Sequence, residues 1–202
     1  MAKREQKQER IRIAIIGDGK TESIYIESLK DAFKVELSAY ALKPILPKHS
    51  SVAEIKRLIE ANLMFDKVLC VIDMDTKLKD SKEMAQYQQL KFKYKRNQNV
   101  IFYETHPCTE LWFYYHFQYT TSEFGLYEPD LKRQLRSVLP GYEKKVPFCT
   151  HQHIQSFGGD FDKAVKNGRL SMKSKNADNR NHSYSEMVDF IEAIGLVKRD
   201  KV

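Results

Sequence analysis

The stretch RIAIIGDGKTE, from Arg12 to Glu22, determines the predicted fold class. Its apolar run RIAIIG ends in glycine, and a continuous apolar run is typical of a strand that is buried on both faces. The segment that follows, TESIYIESLKDAFK, carries apolar residues at a helical spacing, including Ile24, Leu29 and Phe33. A buried strand followed directly by an amphipathic helix predicts the first half of a parallel α/β unit.

The same alternation continues along the chain. Further strand-like runs are VELSAYALKPIL, which Pro44 interrupts, DKVLCVIDMD and NVIFYET. Helical patterns lie in SSVAEIKRLIEANL, SKEMAQYQQLKFKYKRN and CTELWFYYHF, and Ser50 or Ser51 is a suitable N-cap for the first of these. Strands that alternate with helices predict an α/β fold with a mostly parallel, doubly wound sheet flanked by helices.

The predicted division into domains is simple. Residues 1–10 form a basic polar N-terminal tail, and residues 11–202 form a single domain with a helix-rich extension from about residue 125. The helical patterns of that extension are EPDLKRQLRSVLPGYEKK, DFDKAVKNGRL and SYSEMVDFIEAIGL. A chain of 202 residues is long enough for one sizeable α/β domain.

Composition indicates a soluble protein of a reducing compartment. No apolar run approaches the length of a membrane span, and the charged N-terminus lacks the apolar core of a secretory signal. The chain has three cysteines, an odd number whose spacing forms no disulfide framework, so we expect a cytoplasmic protein that does not bind a membrane. The net charge of +7 favours a polyanionic partner, either DNA or RNA.

Acidic residues follow three of the predicted strands. Asp18 and Glu22 follow the first strand, Asp73 and Asp75 end the VLCVI strand, and Glu110 follows NVIFY. Because parallel strands place their carboxyl ends at one edge of the sheet, we expect these side chains to lie close together. Asp73 and Asp75 stand at i and i+2 of an extended segment, so their carboxylates share a face and repel each other unless a cation lies between them.

Oxygen-rich sites of this kind suit Mg²⁺ or Mn²⁺. We therefore expect Asp18, Asp73 and Asp75 to coordinate one or two metal ions, and Glu22 and Glu110 to act as further ligands or as a base. Two other interpretations stay open: an Asp-x-Asp pair also occurs in solvated turns, and Glu110 in the first turn of a helix is favoured by the helix dipole alone.

Gly19-Lys20-Thr21 also matches the end of a phosphate-binding P-loop. However, the first glycine of that motif is replaced by Ala14, which lies in the strand, and Asp18 would face the phosphates. Nucleotide binding at Lys20 is therefore the less favoured interpretation. The segment better suits a tight strand-to-helix turn in which Thr21 caps the helix.

Three basic clusters support a nucleic-acid partner: KFKYKR (Lys91–Arg96), GYEKK with Lys144 and Lys145, and KNGRLSMKSKN (residues 166–176). Each cluster alone is equally typical of a solvated helix face. Together they predict a surface that neutralises phosphates, with Lys20, Lys144 and Lys145 contacting the phosphodiester. The tyrosines among or beside the clusters that could stack on bases are Tyr87, Tyr94 and Tyr142.

Cysteine and histidine residues suggest two further kinds of site. Cys149, His151 and His153 alternate in CTHQH and could offer one face to Zn²⁺, but no second ligand pair stands at the spacing of a zinc finger. His116 is expected to be a packed or surface histidine, and Cys70, inside an apolar strand, is expected to be a buried and inert thiol.

Five segments, taken in order, resemble the motifs of the RloB-like family: GDGKTES, VLCVIDMDTK, THPCTELWFYYHF, GYEKK and NRNHSYSEMVDFIEAI. The resemblance runs from about Ile11 to Ile194, and that family is similar to the Toprim domains of topoisomerases, primases and OLD-type nucleases. It implies a Toprim-like fold in which the first acid, here Asp18, and the Asp-x-Asp pair, here Asp73 and Asp75, hold Mg²⁺ for strand cleavage. The other matching positions are Gly19, Thr21, Glu22, Pro107, Cys108, Glu110, Leu111, Trp112, Tyr142 and Lys144.

The chain departs from the family pattern at Asp18, where Glu is usual, at His106, where Asn is usual, and in NRNHSYS, which lacks a proline. The resemblance implies a Mg²⁺-dependent nuclease that acts in bacterial defence against foreign nucleic acid, often beside an ATPase. Because Asp18 is one methylene shorter than Glu, a second interpretation is a catalytically weak nucleic-acid-binding or effector subunit that works with an ATPase partner.

Overall fold

The computed structural model describes residues 9–125, 127–178 and 183–198. The sheet has five strands in the order β2-β1-β3-β4-β5: β1 (Ile11–Gly17), β2 (Tyr40–Ile45), β3 (Lys67–Asp73), β4 (Val100–His106) and β5 (Tyr184–Ser185). The first four strands pair in parallel, and β5 pairs antiparallel to the end of β4. The predicted α/β fold with a mostly parallel sheet is thus confirmed.

Helices flank the sheet. They are α1 (Lys20–Ala32), α2 (Val52–Ala61), α3 (Asp75–Lys79), α4 (Ser81–Tyr94), α5 (Glu110–Tyr115), α6 (Lys132–Val138), α7 (His151–Ser156), α8 (Phe161–Asp178) and α9 (Met187–Ala193). A 3₁₀ turn at Glu36–Ala39 leads into β2, and a π-helical turn at Tyr127–Leu131 leads into α6. Among the described residues, no helix combines the length and the apolar character that crossing a membrane requires.

Local sequence signals account for several of these bounds. Ser51 is the N-cap of α2, because its side chain accepts a hydrogen bond from the main-chain nitrogen of Glu54. Pro44 lies inside β2, which is an edge strand and therefore tolerates a residue without an N–H. The prediction that Thr21 caps α1 is wrong, because α1 begins at Lys20 and Thr21 lies within its first turn.

Side chains alternate between the two faces of the sheet and form two apolar cores. Ile13, Ile15 and Leu69 belong to the larger core, which α1, α5 and the helices of the C-terminal part cover. Ala14 and Cys70 face the smaller core, which α2 and α4 cover. The helix-rich C-terminal part thus packs on the same sheet as the N-terminal part. Residues 1–8 of the predicted tail and residues 179–182 of the NRNH segment lie outside the described residues.

The register of the parallel strands fixes the place of the site. Gly17 pairs with Val71, and Asp73 pairs with Thr105, so β1, β3 and β4 end at the same edge. The connections from β1 to α1 and from β3 to α3 are short, and α1, α3 and α5 all begin at this edge. The acids that follow the strands therefore meet at the carboxyl edge of the sheet, as the sequence predicts.

Gly17 permits the close approach of β1 to the first turn of α1. A Cβ atom at this position would lie 2.9 Å from Ser23 Oγ and 3.0 Å from Glu22 Cβ. We expect Gly17→Ala to lower the free energy of unfolding by about 1–3 kcal/mol, because the first turn must move away from the strand. Denaturant-induced unfolding measures this change.

Gly125→Ala is the matched control, because its added Cβ would meet no atom of the described residues within 4 Å. We expect that variant to stay within about 0.5 kcal/mol of the unmodified protein. Equal free energies of unfolding for the two alanine variants would contradict the proposed contact at Gly17.

Candidate metal centre and basic cleft

Five acidic side chains surround the carboxyl edge of the sheet. Asp18 directly follows β1, Asp73 ends β3, Asp75 begins α3, Glu22 lies in the first turn of α1 and Glu110 begins α5. Four of them are buried, since the exposed fractions are 1% for Asp18, 3% for Glu22, 9% for Asp75 and 0% for Glu110. The structure thus brings all the predicted acidic site residues to one region, but their partners differ.

Asp18 is held by a buried lysine. Lys77 Nζ lies 2.5 Å from Asp18 Oδ2, and both side chains are almost fully buried. The other oxygen of Asp18 accepts a hydrogen bond from Ser50 Oγ at 3.4 Å. Burial raises the pKa of the Asp18 carboxyl, and the Lys77 ammonium opposes that rise.

Asp75 is also paired with a lysine. Lys79 Nζ lies 2.6 Å from Asp75 Oδ1, four residues along the chain, and the lysine side chain is about half exposed. The main-chain nitrogen of Asp75 donates to Asp73 Oδ1 at 2.9 Å, which fixes one oxygen of Asp73. Two of the three predicted metal ligands therefore already contact an ammonium group.

Asp73, Glu22 and Glu110 influence one another electrostatically. Burial raises the pKa of Asp73 well above its ordinary value, and the charges of Glu22 and Glu110 raise it further. Burial likewise raises the pKa of Glu22 to about 7, a side-chain hydrogen bond with Thr109 opposes the rise, and the charges of Asp18 and Glu110 add to it. A cluster of buried carboxylates is stable only when bound protons or nearby cations offset its negative charge.

Glu110 is held from the other side by the Tyr142–Lys144 segment. Tyr142 donates its hydroxyl to Glu110 Oε1 at 3.0 Å, and Lys144 Nζ lies 3.0 Å from the same oxygen. Burial disfavours the charged form of Lys144, but Glu110 and Asp73 outweigh burial and raise the pKa of this lysine. The two motifs CTELW and GYEKK, far apart in sequence, thus form one hydrogen-bonded group.

Three buried carboxylate oxygens at this edge lack a hydrogen bond from any described residue: Glu22 Oε1, Asp75 Oδ1 and Glu110 Oε2. Asp75 Oδ1 forms an ion pair with Lys79, so Glu22 Oε1 and Glu110 Oε2 are the two without such a partner among the described residues. Buried acceptors of this kind are costly and usually have a partner that the protein alone does not supply. A hard divalent cation suits them, because oxygen ligands are what Mg²⁺ and Mn²⁺ prefer. Within the described residues, however, no group of three or more acidic, His or Cys side chains is arranged to hold a metal ion.

A basic cleft of about 430 Å³ lies beside these acids. Its lining residues are Asp75, Lys79, Lys132, Arg136, Tyr142, Glu143, Lys144 and Lys145. Lys144 and Lys145, which are predicted to contact the phosphodiester, therefore lie next to the acidic edge. Lys145 also forms an exposed ion pair with Glu143. Lys20, the third predicted contact, is exposed at the start of α1.

Several cationic residues of the site were missed by the sequence analysis. Lys77 and Lys79 follow Asp73 and Asp75 by four residues, so a short helix after the strand would have placed them near the acids. Lys132 and Arg136 lie on α6 and gave no signal, because only the tertiary packing of α6 brings them to the cleft.

The prediction that Tyr87, Tyr94 and Tyr142 stack on bases is wrong for this structure, because all three side chains are buried. Tyr87 donates to Glu104 at 2.7 Å rather than facing solvent. The exposed aromatic ring of the KFKYKR cluster is instead Phe92, which is 78% exposed. Part of the cluster's charge is also paired, since Lys91 lies 2.5 Å from Glu104.

The other residues that the sequence suggested as sites pack against neighbouring side chains; all are buried except His153, which is partly buried. Cys149 is buried close to the Tyr142 hydroxyl, whereas His151 packs on Phe33 and His153 packs on Phe148. The structure thus does not bring the three side chains of the zinc alternative together. The predictions for His116 and Cys70 are confirmed, because His116 is buried and bonded to the Tyr25 hydroxyl and Cys70 is a buried free thiol.

The P-loop alternative also fits the structure poorly. Only Asp18 and Gly19 separate the end of β1 from the start of α1. The main-chain nitrogen of Asp18 donates to Val71, so it is not available to a phosphate. A phosphate cradle requires several free N–H groups in a wider loop.

These features define an α/β protein whose parallel strands end in a cluster of buried acids beside a basic cleft. The family model described as RloB-like protein matches residues 13–194, which is most of the chain. The chain therefore belongs to the RloB-like family, as its motifs suggested. Searches of curated proteins and of solved structures each found no match.

The raised pKa of Glu22 yields a test of the buried carboxylate. Because the pKa rises from 4.5 to about 7 on folding, the folded protein binds more protons than the unfolded chain between these pH values, and stability falls as pH increases through that window. We expect Glu22→Gln to raise the free energy of unfolding by up to about 3 kcal/mol at pH 8, and to change it little below pH 4.5. Denaturation at both pH values measures the effect.

Glu27→Gln is the control, because Glu27 lies on the exposed surface of the same helix. That variant should show no comparable gain at pH 8. A Glu22→Gln variant that is less stable than the unmodified protein at pH 8 would contradict the account of Glu22 as an uncompensated buried acid.

Proposed function

We propose that this protein is a metal-dependent nuclease that cleaves phosphodiester bonds of DNA or RNA in the cytoplasm with the help of Mg²⁺ or Mn²⁺. The observation that supports this most strongly is the pair of buried carboxylate oxygens, Glu22 Oε1 and Glu110 Oε2, that accept no hydrogen bond from the described residues. They lie beside Asp73 at the carboxyl edge of a parallel sheet, where ligands of such folds bind.

The acids differ in how readily they could bind the cation, because some of them already contact a lysine. Asp73, Glu22 Oε1 and Glu110 Oε2 would bind it first, although Lys144 and Tyr142 already hold the other oxygen of Glu110. The predicted ligands Asp18 and Asp75 would first have to release Lys77 and Lys79. The chemistry that such a cation supplies is stabilisation of the negative charge that builds up on the phosphoryl oxygens.

The protein's own residues would perform the remaining steps. Lys144 and Lys145 line the cleft and would bind the phosphodiester, with Lys79, Lys132 and Arg136 beside them. Where Asp73 and Glu110 hold the cation, Glu22 would be the carboxylate left to take the proton of the attacking water. Tyr142 keeps Glu110 oriented through its hydroxyl.

A role in bacterial defence and an ATPase partner are part of the proposal through the family resemblance alone. The chain's contribution to such an assembly would be the acidic edge and the cleft.

A second candidate function is a nucleic-acid-binding or effector subunit with weak or no catalysis. The Asp18–Lys77 ion pair favours it, because the acid that matches the first acid of the family motif is neutralised inside the protein. The basic cleft would then bind nucleic acid without cleaving it.

Cleavage assays test the main proposal. We expect the unmodified protein to cleave single-stranded DNA, duplex DNA or RNA when Mg²⁺ or Mn²⁺ is present, and Asp73→Asn to reduce the rate at least about 10- to 100-fold, since even outer contacts of metal sites have effects of this size. Product formation is followed on denaturing gels with end-labelled substrates.

Asp31→Asn is the matched control, because Asp31 is exposed near the far end of α1. It should cleave at the rate of the unmodified protein. Equal rates for Asp73→Asn and the unmodified protein, or no cleavage of any of the three substrates, would contradict the nuclease proposal.

Binding measurements test the cleft and the second candidate together. We expect Lys132→Ala/Lys145→Ala to weaken binding of a labelled oligonucleotide and to reduce the slope of log affinity against log salt by about 2, because two phosphate contacts are lost. Fluorescence anisotropy across a salt series measures the slope.

Lys34→Ala, at the opposite end of α1, is the control and should leave the slope unchanged. Binding that has this slope but needs no divalent ion, in a protein that does not cleave, would support the second candidate. An unchanged slope in the double variant would show that the cleft does not bind the strand.

A further inference from the structure

One lysine at the strand ends is as buried as the apolar core. Lys77 and Asp18 are each 1% exposed, and Lys77 Nζ lies 2.5 Å from Asp18 Oδ2. The same ammonium lies 3.2 Å from the main-chain oxygen of Asp73 and donates to it. Lys77 thus connects the end of β1 to the end of β3.

The position of Lys77 is unusual for its residue type. Lysine is almost never fully buried unless it is paired, and its long stem normally lets the charge reach water. Lys79, two residues further along the same short helix, does reach solvent. The Lys77 ammonium instead points inward and lies 6.0 Å from the ring centroid of the buried Tyr87.

The ammonium fills the space that a metal ion bound to Asp18 would need. Mg²⁺ binds carboxylate oxygens at about 2.0–2.1 Å and Mn²⁺ at slightly longer distances. A nitrogen at 2.5 Å from Asp18 Oδ2 excludes a cation from the side of that oxygen on which it lies. Removal of Lys77 from a carboxylate that has almost no exposure would leave an unpaired buried charge, which is strongly unfavourable.

We propose that Lys77 is the resident counter-ion of Asp18 and occupies the place where a second divalent cation would otherwise bind. The site then takes one divalent cation, on the side of Asp73, Glu22 and Glu110, and Asp18 is not its ligand. This inference rests on the proposed function, since it specifies how many metal ions the nuclease site uses. Lys77 is a positioning residue that acts through Asp18.

The test counts bound ions by isothermal titration calorimetry with MnCl₂ and MgCl₂. We expect the unmodified protein to bind one ion, and Lys77→Met to bind two, because Asp18 becomes free to take a cation. The double variant Asp18→Asn/Lys77→Met removes both charges of the pair and should bind one ion with an unchanged dissociation constant. Asp73→Asn should bind none.

The double variant also protects the test against misfolding. Lys77→Met leaves the Asp18 carboxylate buried without a counter-ion, whereas the double variant leaves no net buried charge at this pair. If Lys77→Met does not fold, the number of ions bound by the double variant tests the inference instead. One bound ion with unchanged affinity supports the inference, and loss of the ion overturns it, because Asp18 would then be a ligand.

Failure of this inference is distinguishable from failure of the proposed function. Metal-dependent cleavage by an unmodified protein that binds two ions would refute the role of Lys77 alone. An unmodified protein that binds no ion, beside a Lys77→Met variant that binds one, would refute the nuclease and the single-ion site, and only the exclusion of a cation by Lys77 would stand. The absence of ion binding in every variant would refute both.

Discussion

The repulsion between buried carboxylates at the carboxyl edge of the sheet is the constraint on which the arrangement of this site depends. Parallel pairing of β1 with β3, and of β3 with β4, ends three strands at the same edge, and each is followed by an acid. Asp18, Asp75 and Glu110 are offset by Lys77, Lys79 and Lys144 respectively. Glu22 has no such lysine, and its pKa rises instead.

This uneven compensation separates the acids into two groups. Asp18 and Asp75 contact ammonium groups and have little remaining demand for a cation. Asp73, Glu22 and Glu110 remain mutually repulsive, even though Lys144 and Tyr142 hold Glu110 Oε1. Glu22 Oε1 and Glu110 Oε2 accept no hydrogen bond from the described residues. Groups that lower stability in this way are typical of functional sites, since a structural role would be better served by Gln or Asn.

The sequence predicted the parts of the fold that depend on local pattern. The runs around Ile15, Leu69 and Ile101 are largely apolar, because strands β1, β3 and β4 lie inside the sheet and bury their side chains in the cores. The sequence located all three strands correctly. Ser51 was one of the two candidate N-caps, Ser50 or Ser51, because capping uses a local hydrogen bond. The two-residue strand β5 was missed, because so short a segment carries no periodicity of its own.

The sequence predicted which acids form the site, but not which lysines pair with them. Asp18, Asp73 and Glu110 follow strands, and the rule for parallel sheets is enough to bring them together. Lys77 looks solvated in the sequence, since nothing local shows that a lysine on a short polar helix will be buried. Tyr87 was misjudged for the converse reason: its basic neighbours suggested a surface, whereas its ring is in the core.

The most direct test of this account is the position of Mn²⁺ in an anomalous difference map from crystals grown with MnCl₂. We expect a single peak within bonding distance of Asp73 and of Glu22 or Glu110, with the Lys77 ammonium still on Asp18. A peak bonded to Asp18 with Lys77 displaced, or no peak at any of these carboxylates, would contradict it.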